Sequence, residues 1–430
     1  MCKENTGFNN HITENSAVSK KGLRCQICTG CGLCPGITPE GGTAGGLRVL
    51  AEDALLGMRL PIKSARRLAV ADVGTTTVAM LLYASDGSVE EQFVAVNPQT
   101  CYGADVISRI RAAEDRSAAK DMQDQILQIL GQGLARFQGR LKEGEELFLV
   151  LVANTTMTYL LMGWDPAELG RAPFQATRLD SVETIVCGVP CFVFPRLSAF
   201  VGGDIVAGIY ACGMCEKGLT LLLDLGTNGE IVLGNSEKRI ACATAAGPAF
   251  EGGVNKGIWG ADMISLLARL RREGVLDETG LLAEPYFTEG IRIGNVRVTK
   301  EAVRSVQLAK GAIAAGIETL LKRFGADVEE IERVVLAGGF GYYLQAGSAA
   351  DIGLFPRGLA DRTVTGGNTA LSGALMAGRY ILTGGTCRGF DKQLKETVLR
   401  TEVLNLAEDP GFEQRYLNRL ALDSISVVDM

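Results

Sequence analysis

Two stretches decide the fold: RLAVADVGTTTVAMLLY at 67–83 and LTLLLDLGTNGEIVL at 219–233. Each is an apolar run of buried-strand type that ends in D-[VL]-G-T and leads into a second strand-like run. A strand ending in Asp and turning at Gly places a carboxylate beside a tight hairpin. Gly74 and Gly226 let the backbone approach an anion with no Cβ in the way. Thr75, Thr76 and Thr77 in the first copy, and Thr227, Asn228 and Gly229 in the second, offer amides and hydroxyls to phosphate oxygens. Asp72 and Asp224 can each hold Mg²⁺ through water, because that ion keeps most of its hydration shell. One such stretch alone reads more readily as a plain hairpin turn. Two of them, separated by about a domain's length, read as duplicated lobes that grip a polyphosphate from both sides.

From Arg67 onward, strand-like runs alternate with helix-length segments, which predicts an α/β architecture. Helix is expected near 104–142 and again after Thr299, a fitting N-cap, with Gly325 as the stop. VVLAGGFG at 334–341 is a strand running into Gly338, Gly339 and Gly341, a turn that lets a nucleotide lie against bare backbone. Phe340 either stacks on a base or packs inward. GGNTALSGALMAG at 366–378 carries small residues at helical spacing, which permits close helix approach.

Composition narrows the function classes. At 430 residues, two or three units are expected. The net charge of -6 gives no general attraction to nucleic acid or anionic membrane. No uninterrupted apolar run reaches the roughly 18 residues that cross a bilayer, and the polar leader MCKENTGFNNHITENS lacks a signal-peptide core. The expectation is therefore a cytoplasmic protein. The single histidine, His11, lies in that leader, which argues against Ser-His-Asp hydrolysis, HExxH proteolysis and His-rich zinc sites.

Twelve cysteines in a cytoplasmic chain point to metal or redox chemistry over disulfides. CQICTGCGLCP sets Cys25, Cys28, Cys31 and Cys34 at C-x2-C-x2-C-x2-C-P. Such close packing suits a [4Fe–4S] cluster, with a structural zinc knuckle or free thiols as the plainer readings. Ferredoxin runs have three residues before the last cysteine. Here there are two, so Cys34 or Cys2 is the fourth ligand. Cys212 and Cys215 form a second CxxC, read here as helix-end packing in preference to redox chemistry.

These pieces together resemble the superfamily of actin, sugar kinases and heat-shock chaperone ATPases. In that pattern DVGTTT and DLGTNGE are the two phosphate motifs and VVLAGGFG is the adenosine motif. FVGGDIVAGI at 200–209 and GGNTALSGA are the helices connecting the lobes. Asp204 then falls where the superfamily often carries the acid that orients the attacking group. An exposed helix-start aspartate is the plainer alternative. Glu230 and Glu251 flank the expected cleft.

ANTTMTYLLMG at 153–163, LSAFVGGDIVAGI, LLLDLGTNGEI, ATAAGPAFEGG at 243–253 and VVLAGGFG occur in one order that resembles the reductive activators of corrinoid proteins. The ending NLAEDPGFEQRYLNRLAL resembles that family's C-terminal helix. The resemblance implies ATP, Mg²⁺, an iron–sulfur cluster, a low-potential electron donor and a corrinoid protein partner of a methyl-transfer system. A homodimer is a further expectation. Characterised members typically begin with a plant-type [2Fe–2S] domain, where this sequence carries the four-cysteine run. The lone histidine argues that the chain is not itself the corrinoid carrier, which commonly supplies a His ligand.

The expected organisation is a cysteine-rich segment at 1–36, a linker at 37–66, ATPase lobe I at 67–216, lobe II at 217–385 and a C-terminal helical segment at 386–430. Three other functions fit the same fold. An activator of 2-hydroxyacyl-CoA dehydratases would place a cluster cysteine before A-A-G, where this sequence has Thr244. A small-molecule kinase would use Asp204 as its base. A nucleotide-sensing scaffold would bind without turnover.

Overall fold

The computed structural model describes residues 66–425 except 215, 217, 227, 246–259 and 295. Residues 1–65, with the four-cysteine run, and Glu251 lie outside the described residues, as does Cys215.

Two six-stranded sheets are built on one plan. The first contains β1 (Arg66–Val73), β2 (Thr77–Tyr83), β3 (Val89–Val96), β4 (Glu146–Ala153), β5 (Val182–Val186) and β6 (Val189–Val193), in the order β3-β2-β1-β4-β6-β5. The second contains β7 (Thr220–Leu225), β8 (Gly229–Gly234) and β9 (Arg239–Thr244). After a separate small hairpin of β10 (Ile291–Ile293) and β11 (Val296–Val298), the second sheet resumes with β12 (Arg333–Ala337), β13 (Thr363–Gly367) and β14 (Thr401–Val403). Its order is β13-β12-β7-β8-β9-β14. In both, an antiparallel three-strand meander is extended on the side of its first strand by two parallel strands; β5 then closes the first sheet antiparallel to β6, and β14 joins the second beside β9. The central strands read as unbroken apolar runs because both of their faces are covered, as parallel sheets require. This duplication is the two-lobed actin-like α/β fold expected from the paired D-x-G-T stretches.

Three large cores, with a small cluster around Ile110 and Tyr159, hold the described residues of the lobes. One covers the outer face of the first sheet, with Met122, Ile126 and Leu130 of the helix Arg116–Gln138. Another packs the long helix Lys300–Phe324 against the second sheet. That helix starts at Thr299, whose Oγ1 accepts the Ala302 N–H at 3.4 Å, and stops at Gly325 with φ of 80°. The third core lies between the lobes. It joins Leu68 and Val70 of β1 to Leu222 of β7 and Val335 of β12 through the helices Gly203–Ala211 and Thr369–Leu382. These two connecting helices touch backbone to backbone. A Cβ at Gly373 would overlap the Ala207 carbonyl.

The segment after residue 386 ties the lobes together. Its helix Cys387–Leu399 buries Phe390 against Phe192 and Phe194 of the first lobe and Tyr210 and Tyr380 of the connecting helices. The chain then returns to the second lobe, where β14 pairs with β9. The ending expected as one helix is instead a 3-10 turn at Leu406–Glu408 and a short helix, Phe412–Asn418. Asp409-Pro410-Gly411 interrupts the helical pattern between them. Beyond it the tail is pinned to the second lobe, where Arg271 Nε donates to the Leu422 carbonyl at 2.6 Å and Lys310 Nζ to that of Ala421. Among the described residues no helix is long and apolar enough to cross a membrane.

Candidate nucleotide site

The first hairpin is fixed from behind. Gly74 N–H closes the turn on the Thr77 carbonyl at 2.9 Å. Asn97 is fully buried, and its Nδ2 donates to the Gly74 carbonyl at 2.9 Å while its backbone N–H donates to Thr76 O at 2.9 Å. Arg109, also fully buried, donates from Nη2 to the Thr75 carbonyl at 2.6 Å. Asn154 Nδ2 donates to Thr75 Oγ1 at 3.0 Å. A trans peptide holds its C=O and N–H on opposite sides. Tying the Gly74 and Thr75 carbonyls back therefore turns the Thr75 and Thr76 N–H groups away from Asn97 and Arg109.

The second hairpin repeats the design in the other lobe. Gly226 N–H donates to the Asn228 carbonyl at 3.0 Å, and Thr244 Oγ1 donates to Gly229 O at 3.0 Å. Thr227 lies outside the described residues. Asp72 and Asp224 occupy equivalent places, each one residue before the end of its strand. Asp224 stands directly opposite Glu230 in the register, so both side chains leave the same face of the sheet.

The glycine turn after β12 completes this wall. Gly338 has φ of 79°, and a Cβ there would lie 2.5 Å from Asp224 Oδ1 and 2.6 Å from the Leu225 carbonyl. Only glycine fits against the second hairpin at that point. A Cβ at Gly226 or Gly339 would meet nothing within 4 Å, so both present bare backbone to open space. Of the two alternatives for Phe340, the structure favours inward packing: the residue is buried in the second-lobe core. Gly341 is buried with it.

Asp204 lies in the first turn of the helix Gly203–Ala211, where its Oδ1 accepts the Ile205 N–H at 2.8 Å. It is half-buried, within range of the Asp72 and Asp224 charges. Burial, with the charges of Asp72 and Asp224 nearby, pushes its carboxyl up to about 8. Burial and the Asp72 charge raise Asp224 to about 7. Burial raises Asp72 to about 6, partly opposed by a hydrogen bond from Asn368. Glu230 is driven well above the usual carboxylate range by burial and by the charges of Asp204 and Asp224. The three aspartates chosen from sequence thus meet in one place, together with Glu230.

Burial and the neighbouring carboxyls both disfavour ionisation of Asp204, Asp224 and Glu230. Among the described residues no three such groups are close enough to ligate a metal directly. Cys212 is buried at the end of the connecting helix, and burial lifts its thiol to about 12, the state of a packing cysteine.

Four residues of this arrangement escaped the sequence reading: Asn97, Arg109, Asn154 and Asn368. Asn154 and Asn368 each precede a helix as its N-cap, a signal that was present in ANTTM and GGNTA. Nothing in RIRAAEDR marks Arg109 as buried.

Two sheets that share a meander extended at its first strand, joined by paired helices and each carrying an acidic hairpin, fit an actin-like ATPase domain. Family comparison agrees and narrows it. Residues 68–217 match the RACo middle region, and residues 218–256 and 254–428 match the C-terminal domain of RACo, the ASKHA domain. The chain belongs to this family. It is 28% identical to the corrinoid activation enzyme RamQ of Eubacterium limosum, over 83% of this chain and 70% of that protein. It is 24% identical to a [Co(II) methylated amine-specific corrinoid protein] reductase of Methanosarcina barkeri, over 44% of each chain. A solved reductive activator for corrinoid,iron-sulfur protein superposes with a TM-score of 0.72 at 29% identity, covering 84% of this chain and 66% of that one.

Proposed function

We propose that the chain is an ATP-dependent reductive activator that returns an inactive Co(II) corrinoid protein to Co(I). The observation that carries this reading is the convergence of Asp72, Asp204 and Asp224 in one cleft, in a chain homologous to corrinoid activators. Reduction to Co(I) is a one-electron step at very low potential, beyond common cellular donors. ATP helps only through different affinities for the open and closed states of the two lobes. In this reading the Thr75 and Thr76 amides and the second hairpin bind the phosphates. Gly338 and Gly339 supply the backbone on which the nucleoside rests, Gly341 being buried behind them. Asp72 and Asp224 hold the water shell of Mg²⁺, and Asp204 orients the attacking water and takes its proton. A carboxyl lifted toward neutrality by its surroundings is suited to that transfer.

Cys25, Cys28, Cys31 and Cys34 are proposed as ligands of a [4Fe–4S] cluster, with Cys2 or Cys34 completing the set. Such a cluster supplies a one-electron store when bound. The electron source is a low-potential donor, the protein acts in the cytoplasm, and a homodimer is its proposed assembly. The test is anaerobic: Co(II) corrinoid protein, a low-potential reductant and the purified chain, with and without Mg-ATP. A Co(I) absorption band that appears only with ATP supports the proposal. No such band with any co-encoded corrinoid partner refutes it. Iron and sulfide analysis with EPR on the same preparation decides between cluster, zinc and free thiols.

A further inference from the structure

Asn368 uses both ends of its side-chain amide. Its Oδ1 accepts the Leu371 N–H at 2.7 Å and caps the connecting helix Thr369–Leu382. Its Nδ2 donates to Asp72 Oδ2 at 2.8 Å. The two partners belong to different lobes: Asp72 is the penultimate residue of β1 in the first, and Asn368 directly follows β13 of the second. The helix that Asn368 caps is held firmly, with Gly378 set against Leu68 of β1 and Gly373 against the other connecting helix. An amide whose oxygen is committed to a fixed helix end has little freedom left at its nitrogen. It therefore dictates where the Asp72 carboxylate points.

We propose that Asn368 is a positioning residue. It acts through Asp72, setting that carboxylate for the hydrated Mg²⁺ of the nucleotide and tying the first phosphate hairpin to the second connecting helix. The inference rests on the nucleotide reading above and adds a residue that the D-x-G-T pattern does not contain. Asp72 is half-buried and crowded by Asp204 and Asp224, so without this donor it has every electrostatic reason to swing away from them. The cap and the donor are separable roles. Serine caps a helix about as well as asparagine but is too short to reach Asp72.

The experiment compares the full wild-type chain with Asn368→Ser, Asn368→Ala and Asp72→Ala. Calorimetry measures a non-hydrolysable ATP analogue with and without Mg²⁺, and a thermal melt reports stability. The expected result for Asn368→Ser is a melt close to wild type and affinity without Mg²⁺ within about twofold. The gain in affinity on adding Mg²⁺ falls about tenfold, the scale of one hydrogen bond to a charged group. Asn368→Ala shows the same loss with a lower melt, since it also removes the cap. A purely structural role would instead weaken both affinities together, and that outcome overturns the proposal. So does an undiminished Mg²⁺ gain in Asn368→Ser. If Asp72→Ala also keeps the full gain, the nucleotide reading itself fails; if Asp72→Ala loses it and Asn368→Ser does not, only the role of Asn368 fails. Should Asn368→Ser not fold, a nucleotide-bound crystal structure of the wild type decides. An Nδ2 to Asp72 distance beyond about 3.5 Å there overturns the proposal.

Discussion

Replacing Gly338 and Gly339 by alanine, one at a time, should give opposite results from neighbouring residues. At Gly338 the backbone has φ of 79°, where an L-residue costs about 1–2 kcal/mol. Its new methyl would also lie 2.5 Å from Asp224 Oδ1 and 2.6 Å from the Leu225 carbonyl. The carboxylate can turn aside, but the carbonyl belongs to β7 and cannot move without disturbing the sheet. Overpacking of that kind costs about 1–3 kcal/mol. The total is about 3 kcal/mol of lost stability, together with a displaced Asp224 and therefore weaker Mg-nucleotide binding. At Gly339 the methyl meets nothing within 4 Å and φ is not positive. Stability there should hold or rise by about 0.5 kcal/mol. Nucleotide affinity should fall, because the methyl enters the open space where the nucleoside is proposed to lie. Urea unfolding gives the stabilities and calorimetry the affinities. Unchanged stability in Gly338→Ala would refute the packing argument. Unchanged affinity in Gly339→Ala would remove the nucleoside from that turn.

Asp204→Asn should lower the ATPase kcat by about 10²–10⁴-fold with little change in KM, the range expected for loss of a general base; a loss confined to KM would reassign Asp204 to binding. Phe390→Ala should cost about 3–5 kcal/mol by urea unfolding, because the ring is fully buried among four aromatic neighbours that belong to the first lobe and the connecting helices. A cost under about 1 kcal/mol would mean that the helix Cys387–Leu399 does not staple the lobes. Lys310 is fully buried, and burial lowers its ammonium to about 7 despite the nearby Asp423. The folded chain then binds fewer protons at this group than the unfolded chain between about pH 7 and the ordinary lysine value of 10.5. Unfolding free energy should therefore rise with pH across that window, by up to about 1.4 kcal/mol per unit. Denaturation curves of Lys310→Met should lack that rise; an identical pH dependence in the variant would contradict the assignment.

Much of this molecule was legible in its residues because the signals were local. The Asp that ends each apolar run, the Gly that follows, the cap at Thr299 and the stop at Gly325 are each decided within a few positions of the chain. Their repetition at domain spacing announced the duplicated lobes. Phe340 was not decided that way. Whether an aromatic ring after two glycines faces a ligand or a core depends on where β12 lies in its sheet, and the core took it. Arg109 is the opposite case. A charged residue in a polar helical stretch looks solvated, yet the fold buries it because three carbonyl and amide acceptors converge there: Thr75, Gly103 and Gln99.

The sequence by itself determined the two D-x-G-T hairpins and the α/β class of fold, because period and turn chemistry are short-range properties; Asp204 was singled out through the family resemblance. Tertiary structure alone decided that Asp72, Asp204, Asp224 and Glu230 share one electrostatic environment, and that Asn368 reaches across the lobes to Asp72. Those contacts join residues far apart in the chain, and only the packing of one sheet against the other through the connecting helices brings them within reach.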